Sequence, residues 1–294
     1  MLIHEVCEKL NLTKKAVEYY IGKGLVVPEM LANGYRDYKE EDVELLRRIG
    51  VLRKLGLNME DIKKVLGEPA TGALQRVIAQ KEMKAKQNAR KDAMLRELLG
   101  GKPYQELEKE LQALEMEETV AERLLDAFPG YYGRFVSMHF SRFLREPVMT
   151  EEQQAAYETV LSFIDQMPAF EVPEDVEREM SEAVNGISSK QIEDMFESVK
   201  YSIERPEDFF DENREVIERY WTYRKSEEFK ASPAGRWMEY MREFQRCSGY
   251  TEIFLPAMRR LSPSYAEYCL QMDRANEKLL ERYPEAKMLY EEGE

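Results

Sequence analysis

The chain has 294 residues, 43% apolar and 34% charged, with a formal net charge of −14, and that length implies two or three structural units. No run approaches the roughly 20 apolar residues needed to cross a bilayer, and His4 and Glu5 interrupt any signal-peptide pattern, so a cytoplasmic protein without membrane contact is expected. Cys7, Cys247 and Cys269 are too few and too widely spaced for a disulfide framework; with His4 and His139 the only histidines, no metal-ligand spacing exists and neither metal nor cofactor is expected.

Charge is unevenly placed. Residues 1–100 hold 19 Lys and Arg against 15 Asp and Glu, whereas the remainder holds 24 against 42. The basic share sits at the N-terminal end, and an acidic second half argues against that half touching DNA or an anionic membrane.

In chain order, Val6 and Leu10 give one apolar face to a first helix, and Asn11 and Leu12 make a turn. Thr13 is a good N-cap for a second helix carrying Lys14 to Ile21, which Gly24 closes. Asn33-Gly34 is a strong hairpin signal, because both residues tolerate the positive φ of a tight primed turn. The spacing predicts a first strand near Leu25 to Val27 and a return strand from Tyr35 to Tyr38. Two short helices and a ribbon make a winged helix-turn-helix, whose second helix enters the major groove while the wing grips the backbone.

Glu40, Glu41 and Asp42 favour the start of a further helix with apolar positions Val43, Leu45, Leu46, Ile49 and Leu52, ending at Gly56. Asn58 caps a short helix through Ile62, Val65 and Leu66, and Gly67 and Pro69 close the domain. From Thr71 to Leu99 only Gly72 interrupts a polar helix with a thin stripe of Leu74, Ile78, Ala85, Leu95 and Leu99. A helix of that length without its own core suits pairing with a second copy, and a solvated connector is its other reading.

The run Thr13 to Tyr20 with its paired tyrosines, Lys23-Gly24-Leu25, Gly34-Tyr35-Arg36-Asp37-Tyr38, Glu41-Asp42-Val43 and Leu55-Gly56-Leu57 resembles the N-terminal region of MerR-family transcription regulators. This resemblance covers about residues 1–99. It implies a homodimer joined by antiparallel long helices and bound to promoter DNA. It also implies that effector binding bends and untwists the promoter spacer so that RNA polymerase engages both of its elements. With the helix and wing pattern, it makes Thr13, Lys14, Lys15, Glu18, Tyr19, Tyr20, Asn33, Gly34, Tyr35, Arg36 and Tyr38 the candidate DNA contacts. Glu18 stands where the family usually has an arginine. It can accept from cytosine N4 in the major groove or pair with Lys14 or Lys15.

Beyond Gly100-Gly101 the chain reads as helix after helix. Thr150 with Gln153 and Ser188 with Gln191 look like capping boxes, and Ser232-Pro233 and Ser262-Pro263 like N-caps before a first-turn proline. The expected fold is therefore mainly α: a winged helix-turn-helix with a small β-hairpin wing (1–69), a long dimerisation helix and hinge (70–101), and an all-helical effector-binding domain (102–294).

Of 31 Phe, Trp and Tyr residues, 27 lie beyond residue 100. Tyr132, Phe135, His139 and Phe143 share one helical face; with Trp221, Trp237, Tyr240 and Phe244 they are the candidate contacts for a small hydrophobic or aromatic effector. Plain core packing is the other reading of such a stripe. His139 has a reference pKa suited to switching, or is a core histidine held by a hydrogen bond. No nucleophile, base and orienting group occur together and no phosphate-binding glycine loop is present, so no enzyme is expected. The leading reading is a ligand-responsive dimeric regulator; the alternative is a DNA-binding domain fused to a helical protein-docking or enzymatic module.

Overall fold

The structure, a computed structural model, describes residues 1–67, 70–128, 130–168, 170, 172–184 and 186–287. Pro69 and the last seven residues, which bear on two of the expected boundaries, lie outside them. The chain forms two compact units, Met1–Val77 and Ile78 onward.

The first unit opens with α1 (Ile3–Leu10) and α2 (Lys14–Gly22). Asn11 makes the turn between them from the left-handed region (φ 50°), a conformation its short polar side chain tolerates. Thr13 caps α2, its Oγ1 accepting the Ala16 N–H at 3.1 Å. Past the end of α2, Gly24 (φ +72°) donates its N–H to the Ile21 carbonyl.

The wing is the antiparallel pair β1 (Glu29–Met30) and β2 (Arg36–Asp37), with Glu29 opposite Asp37 and Met30 opposite Arg36. Its first strand starts later than the expected Leu25 to Val27. Val26 is drawn into the core, and Pro28, without an N–H, precedes the ladder. The turn differs as well. Leu31 N–H bonds Tyr35 O at 2.8 Å and Gly34 N–H bonds Leu31 O at 2.9 Å, enclosing a three-residue loop that needs only one left-handed residue. Gly34 supplies it (φ +83°), whereas Asn33 contributes a side-chain oxygen to the Tyr35 N–H at 3.1 Å.

Next come α3 (Glu40–Lys54), with three acids in its first turn, and α4 (Met59–Gly67), capped by Asn58 Oδ1 on the Asp61 N–H at 2.9 Å. The core of this unit gathers Val6, Val17, Val26, Val43, Leu46, Ile49 and Ile62 with Tyr20 and Tyr38, and takes Ala73 and Val77 from the start of α5 (Ala70–Leu99). α5 ends at Gly100, whose N–H reaches the Arg96 carbonyl, and Gly101 (φ +94°) turns the chain away.

The second unit is helical throughout: α6 (Tyr104–Ala127), α7 (Gly130–Ser141), α8 (Glu151–Gln166), α9 (Glu174–Ala183), α10 (Ser189–Glu204), α11 (Pro206–Glu212), α12 (Arg214–Arg224), α13 (Glu227–Ala231) and α14 (Pro233–Ser248). A single π-helical turn (Tyr250–Phe254), α15 (Leu255–Leu261), α16 (Pro263–Arg282) and a short 3₁₀ turn (Pro284–Lys287) complete it. Among the described residues β1 and β2 are the only strands. Both expected capping boxes form, Thr150 with Gln153 and Ser188 with Gln191, and Ser232 and Ser262 cap their proline-started helices. Ser262 does more: its Oγ accepts the Tyr265 N–H at 3.1 Å and donates to the Phe143 carbonyl at 2.6 Å.

The main core is built from α6, α7, α8, α14, α15 and α16, with Leu124, Phe140, Val160, Phe254 and Met258 among its most enclosed side chains. A smaller core holds Phe210, Trp221, Tyr283 and Ala286.

Candidate nucleic-acid interface and the cavity of the helical half

The N-terminal unit presents a polar face at the start of α2. Thr13, Lys14, Lys15, Glu18 and Tyr19 are exposed there, and Asn33, Gly34, Tyr35 and Arg36 are exposed on the wing. Lys23, named in the sequence only as part of a family motif and not as a contact, is exposed at the C-cap of α2, its ammonium 5.6 Å from the Tyr19 ring centre. Glu18 Oε1 lies 3.8 Å from Lys14 Nζ at i,i+4 spacing, the geometry of a weak surface ion pair.

Two of the expected contacts are not on this face. Tyr20 and Tyr38 are only 6% and 1% exposed and belong to the core. Their rings supply apolar area under α2 and the wing, beneath the exposed residues.

In the helical half the candidate effector residues fall into separate groups. Tyr132 meets Trp237 (ring centres 5.8 Å), Phe128 and Phe170, and Phe244 packs in turn on Phe128 and Phe170, mostly edge to face. Burial raises the Tyr132 hydroxyl well above its ordinary pKa. Phe135, His139 and Phe143 gather instead around Phe196 and Tyr268. Trp221 sits in the smaller core, its indole N–H without a hydrogen-bond partner among the described residues, and Tyr240 is exposed.

His139 lies against five aromatic rings, and Arg142 Nη2 approaches its Nδ1 at 3.2 Å. A guanidinium only donates, so Nδ1 accepts and the ring proton is on Nε2. Burial first, and the Arg142 charge second, lower its pKa to about 4. The imidazole is therefore neutral near pH 7, and the switching role weighed for it does not operate there.

A cavity of about 420 Å³ opens among α5, α6, α7 and α10. Ala79, Met83, Ala121, Met138 and Phe196 give it apolar walls, and charged side chains ring them. Glu82 is held by Arg134, Glu117 by Arg90 and Glu193 by Lys86. Arg134 is almost fully enclosed and also donates to the Ile187 carbonyl (2.9 Å) and Ser189 Oγ (2.6 Å). Little in the residue pattern announces this site. Glu82, Lys86 and Arg90 recur at i,i+4 and read as a solvated helix face, though their spacing is also the one trace of it.

Among the described residues no three His, Cys, Asp or Glu side chains converge as metal ligands, and no helix is long and apolar enough to cross a membrane. The three cysteines are free thiols.

A capped second helix with exposed lysines at its N-terminus, followed by an exposed hairpin, defines a winged helix-turn-helix DNA-binding domain. Residues 1–68 match the MerR HTH family regulatory protein; the chain carries a MerR-family helix-turn-helix domain there. Over 66 residues it is 41% identical to the HTH-type transcriptional regulator HmrR of Rhizobium leguminosarum bv. viciae, covering 22% of this chain and 51% of that protein. Over 62 residues it is 39% identical to the HTH-type transcriptional regulator CueR of Salmonella typhi, covering 21% and 45%. Similarity to the HTH-type transcriptional activator mta of Bacillus subtilis (strain 168) is lower, 25%, but spans 158 residues, 53% of this chain and 57% of that one. The chain thus spans about half the length of the curated relatives it matches. No solved structure matches it.

Proposed function

We propose that the protein is a dimeric MerR-type transcription regulator that binds promoter DNA through α2 and the wing and responds to a small aromatic ligand held by its helical half. The observation that carries this reading is the exposed set Lys14, Lys15, Tyr19, Tyr35 and Arg36 on a MerR-family helix-turn-helix. Lysines at the start of α2 supply phosphate contacts and point charge into the groove, and Arg36 on the wing grips the flanking backbone. The match to a transcriptional activator is longer than the helix-turn-helix region itself, which supports the helical half as part of a regulator.

Dimerisation is assigned to α5. Ile78, Leu95 and Leu99 are exposed along it, Leu99 to 89%, and pairing two such helices covers that stripe. Two copies would then read a palindromic element. A ligand that prefers one dimer geometry would offset the roughly 1–6 kcal/mol needed to bend the site, giving RNA polymerase access to the promoter. Pairing with Lys14 supports the structural role for Glu18.

Selection of binding sites from random duplex DNA, followed by footprinting, tests the reading. A palindromic protected site that Lys15→Ala and Arg36→Ala weaken is expected. Absence of any protected sequence by the folded chain would overturn it.

A further inference from the structure

The cavity among α5, α6, α7 and α10 has chemistry that its size alone does not convey. Its three ion pairs leave two cations, Arg142 and Arg145, and two acids, Asp194 and Glu197, without a partner of that kind among the described residues. Glu82, Glu117 and Glu193 are each committed to a partner, and Asp194 and Glu197 are out in water at the rim. Arg142 is different: half-buried, it makes no ion pair with a carboxylate among the described residues. Its guanidinium lies 4.1 Å from the centre of the Phe196 ring and 5.1 Å from that of Phe143, and its only hydrogen bonds are to the Nδ1 and carbonyl of His139. Arg145 lines the same cavity from an exposed position.

Gln87 supplies an independent observation. It lines the cavity, is 8% exposed, and its amide has no hydrogen-bond partner among the described residues. Its amide atoms are not among the fully enclosed ones left without a partner, so they open onto the cavity, where an occupant can bond them. The same lining includes Met83, Met138 and Phe196, polarisable surfaces suited to the faces of a flat ring. A volume of about 420 Å³ is within the range of small-molecule sites.

We propose that this cavity is the effector site and that it takes a small aromatic acid, with its carboxylate on Arg142, its ring against Phe196 and the two methionines, and a polar substituent or the acid itself on the Gln87 amide. The inference rests on the reading of the helical half as a sensor. It names the site and the class: anionic and aromatic, not cationic and not purely apolar. The three acids already paired would have to give up a partner to receive a cation, and Asp194 and Glu197 stand in water at the rim, where Glu197 attracts Arg142 only through space; Arg142 itself is half-buried and holds no carboxylate at ion-pair distance among the described residues. An aromatic carboxylate is planar at both ends and matches a guanidinium that is itself stacked.

Titration calorimetry on the full-length chain, with 2-naphthoate as the probe and 2-naphthamide and a naphthylmethylammonium salt as its neutral and cationic counterparts, tests this. Saturable binding of the acid, at least ten-fold tighter than of either counterpart, is expected. Arg142→Gln removes that ten-fold preference, and Gln87→Leu weakens the acid several-fold with circular dichroism unchanged. If Arg142→Gln does not fold, Gln87→Leu and Arg145→Gln carry the same comparison. Absence of saturable binding, a preference for the cation, or a preference for the acid that survives every variant overturns the proposal. Footprinting of the unliganded chain is read separately: a protected site without acid binding leaves the regulator standing and removes this site, and acid binding without a protected site does the reverse.

Discussion

Arg134 on α7 holds the carboxylate of Glu82 on α5 at 3.0 Å, and the same guanidinium reaches the Ile187 carbonyl and the Ser189 hydroxyl at the start of α10. Three elements that line the cavity are fastened by one enclosed cation. Removing the cation strands a carbonyl and a carboxylate together, so Arg134→Ala should cost about 3 kcal/mol. Glu82 is more exposed, and Glu82→Ala should cost roughly 1 kcal/mol. Urea unfolding monitored by circular dichroism checks the order; equal costs would mean that the carboxylate, not the cation, organises the junction.

Gly235 sits in the first turn of α14 with its α-carbon against the end of α13. A Cβ there would be driven into the Phe229 carbonyl, with Lys230 Cα 3.1 Å away. Both neighbours are backbone and cannot swing aside, so Gly235→Ala should destabilise the second unit by about 2 kcal/mol or more. A helix propensity gain of at most about 1 kcal/mol does not compensate. Thermal unfolding of the variant, expected several degrees lower, measures it.

His139 makes the fold acid-sensitive. Its pKa falls from 6.5 to about 4 on folding, so between those values the unfolded chain binds the proton more readily. The stability due to its neutral form is complete above pH 6.5 and declines by about 1–3 kcal/mol as pH falls toward 4, then changes no further. His139→Asn should flatten that part of the profile. Denaturation curves at pH 7 and pH 4.5 for both proteins give the comparison; parallel losses would show that another group is responsible.

For DNA binding, exposed cations and buried rings should separate cleanly. Lys15→Ala and Arg36→Ala should each lower affinity across all sequences and reduce the slope of log affinity against log salt by about one. Tyr20→Ala should act through the fold, lowering the unfolding temperature of the first unit because a buried ring costs about 3–5 kcal/mol to remove. Fluorescence anisotropy over a salt series, with melting curves alongside, distinguishes the two patterns.

What the sequence disclosed about the fold followed the range of the interaction involved. Thr13, the box of Thr150 with Gln153 and that of Ser188 with Gln191 bond to backbone three residues away, and each is visible in a short window. The first wing strand begins later than local pattern suggests because Val26 is claimed by side chains far along the chain. Asn33 and Gly34 marked the right bend, but loop length decided which of them takes the left-handed conformation. The aromatic stripe of α7 was legible as a stripe, while its division between the Trp237 group and the Phe196 group depended on which later helices pack there. Gln87 and Arg142 gave no signal, since a polar residue on a polar helix becomes unusual only when tertiary structure encloses it.

The Ser262 hydroxyl joins a carbonyl just past the end of α7 to an amide at the start of α16. Peptide dipoles make the one region electron-rich and the other electron-poor, so this single O–H acts as a neutral electrical joint between segments 119 residues apart. No formal charge is spent on it, and added salt should leave it intact where surface ion pairs weaken. Its two bonds differ in reach: the one from the Tyr265 N–H is local to α16, whereas the one to the Phe143 carbonyl exists only with the end of α7 in place, so the donor side of this hydroxyl reports on the wall that carries Arg142.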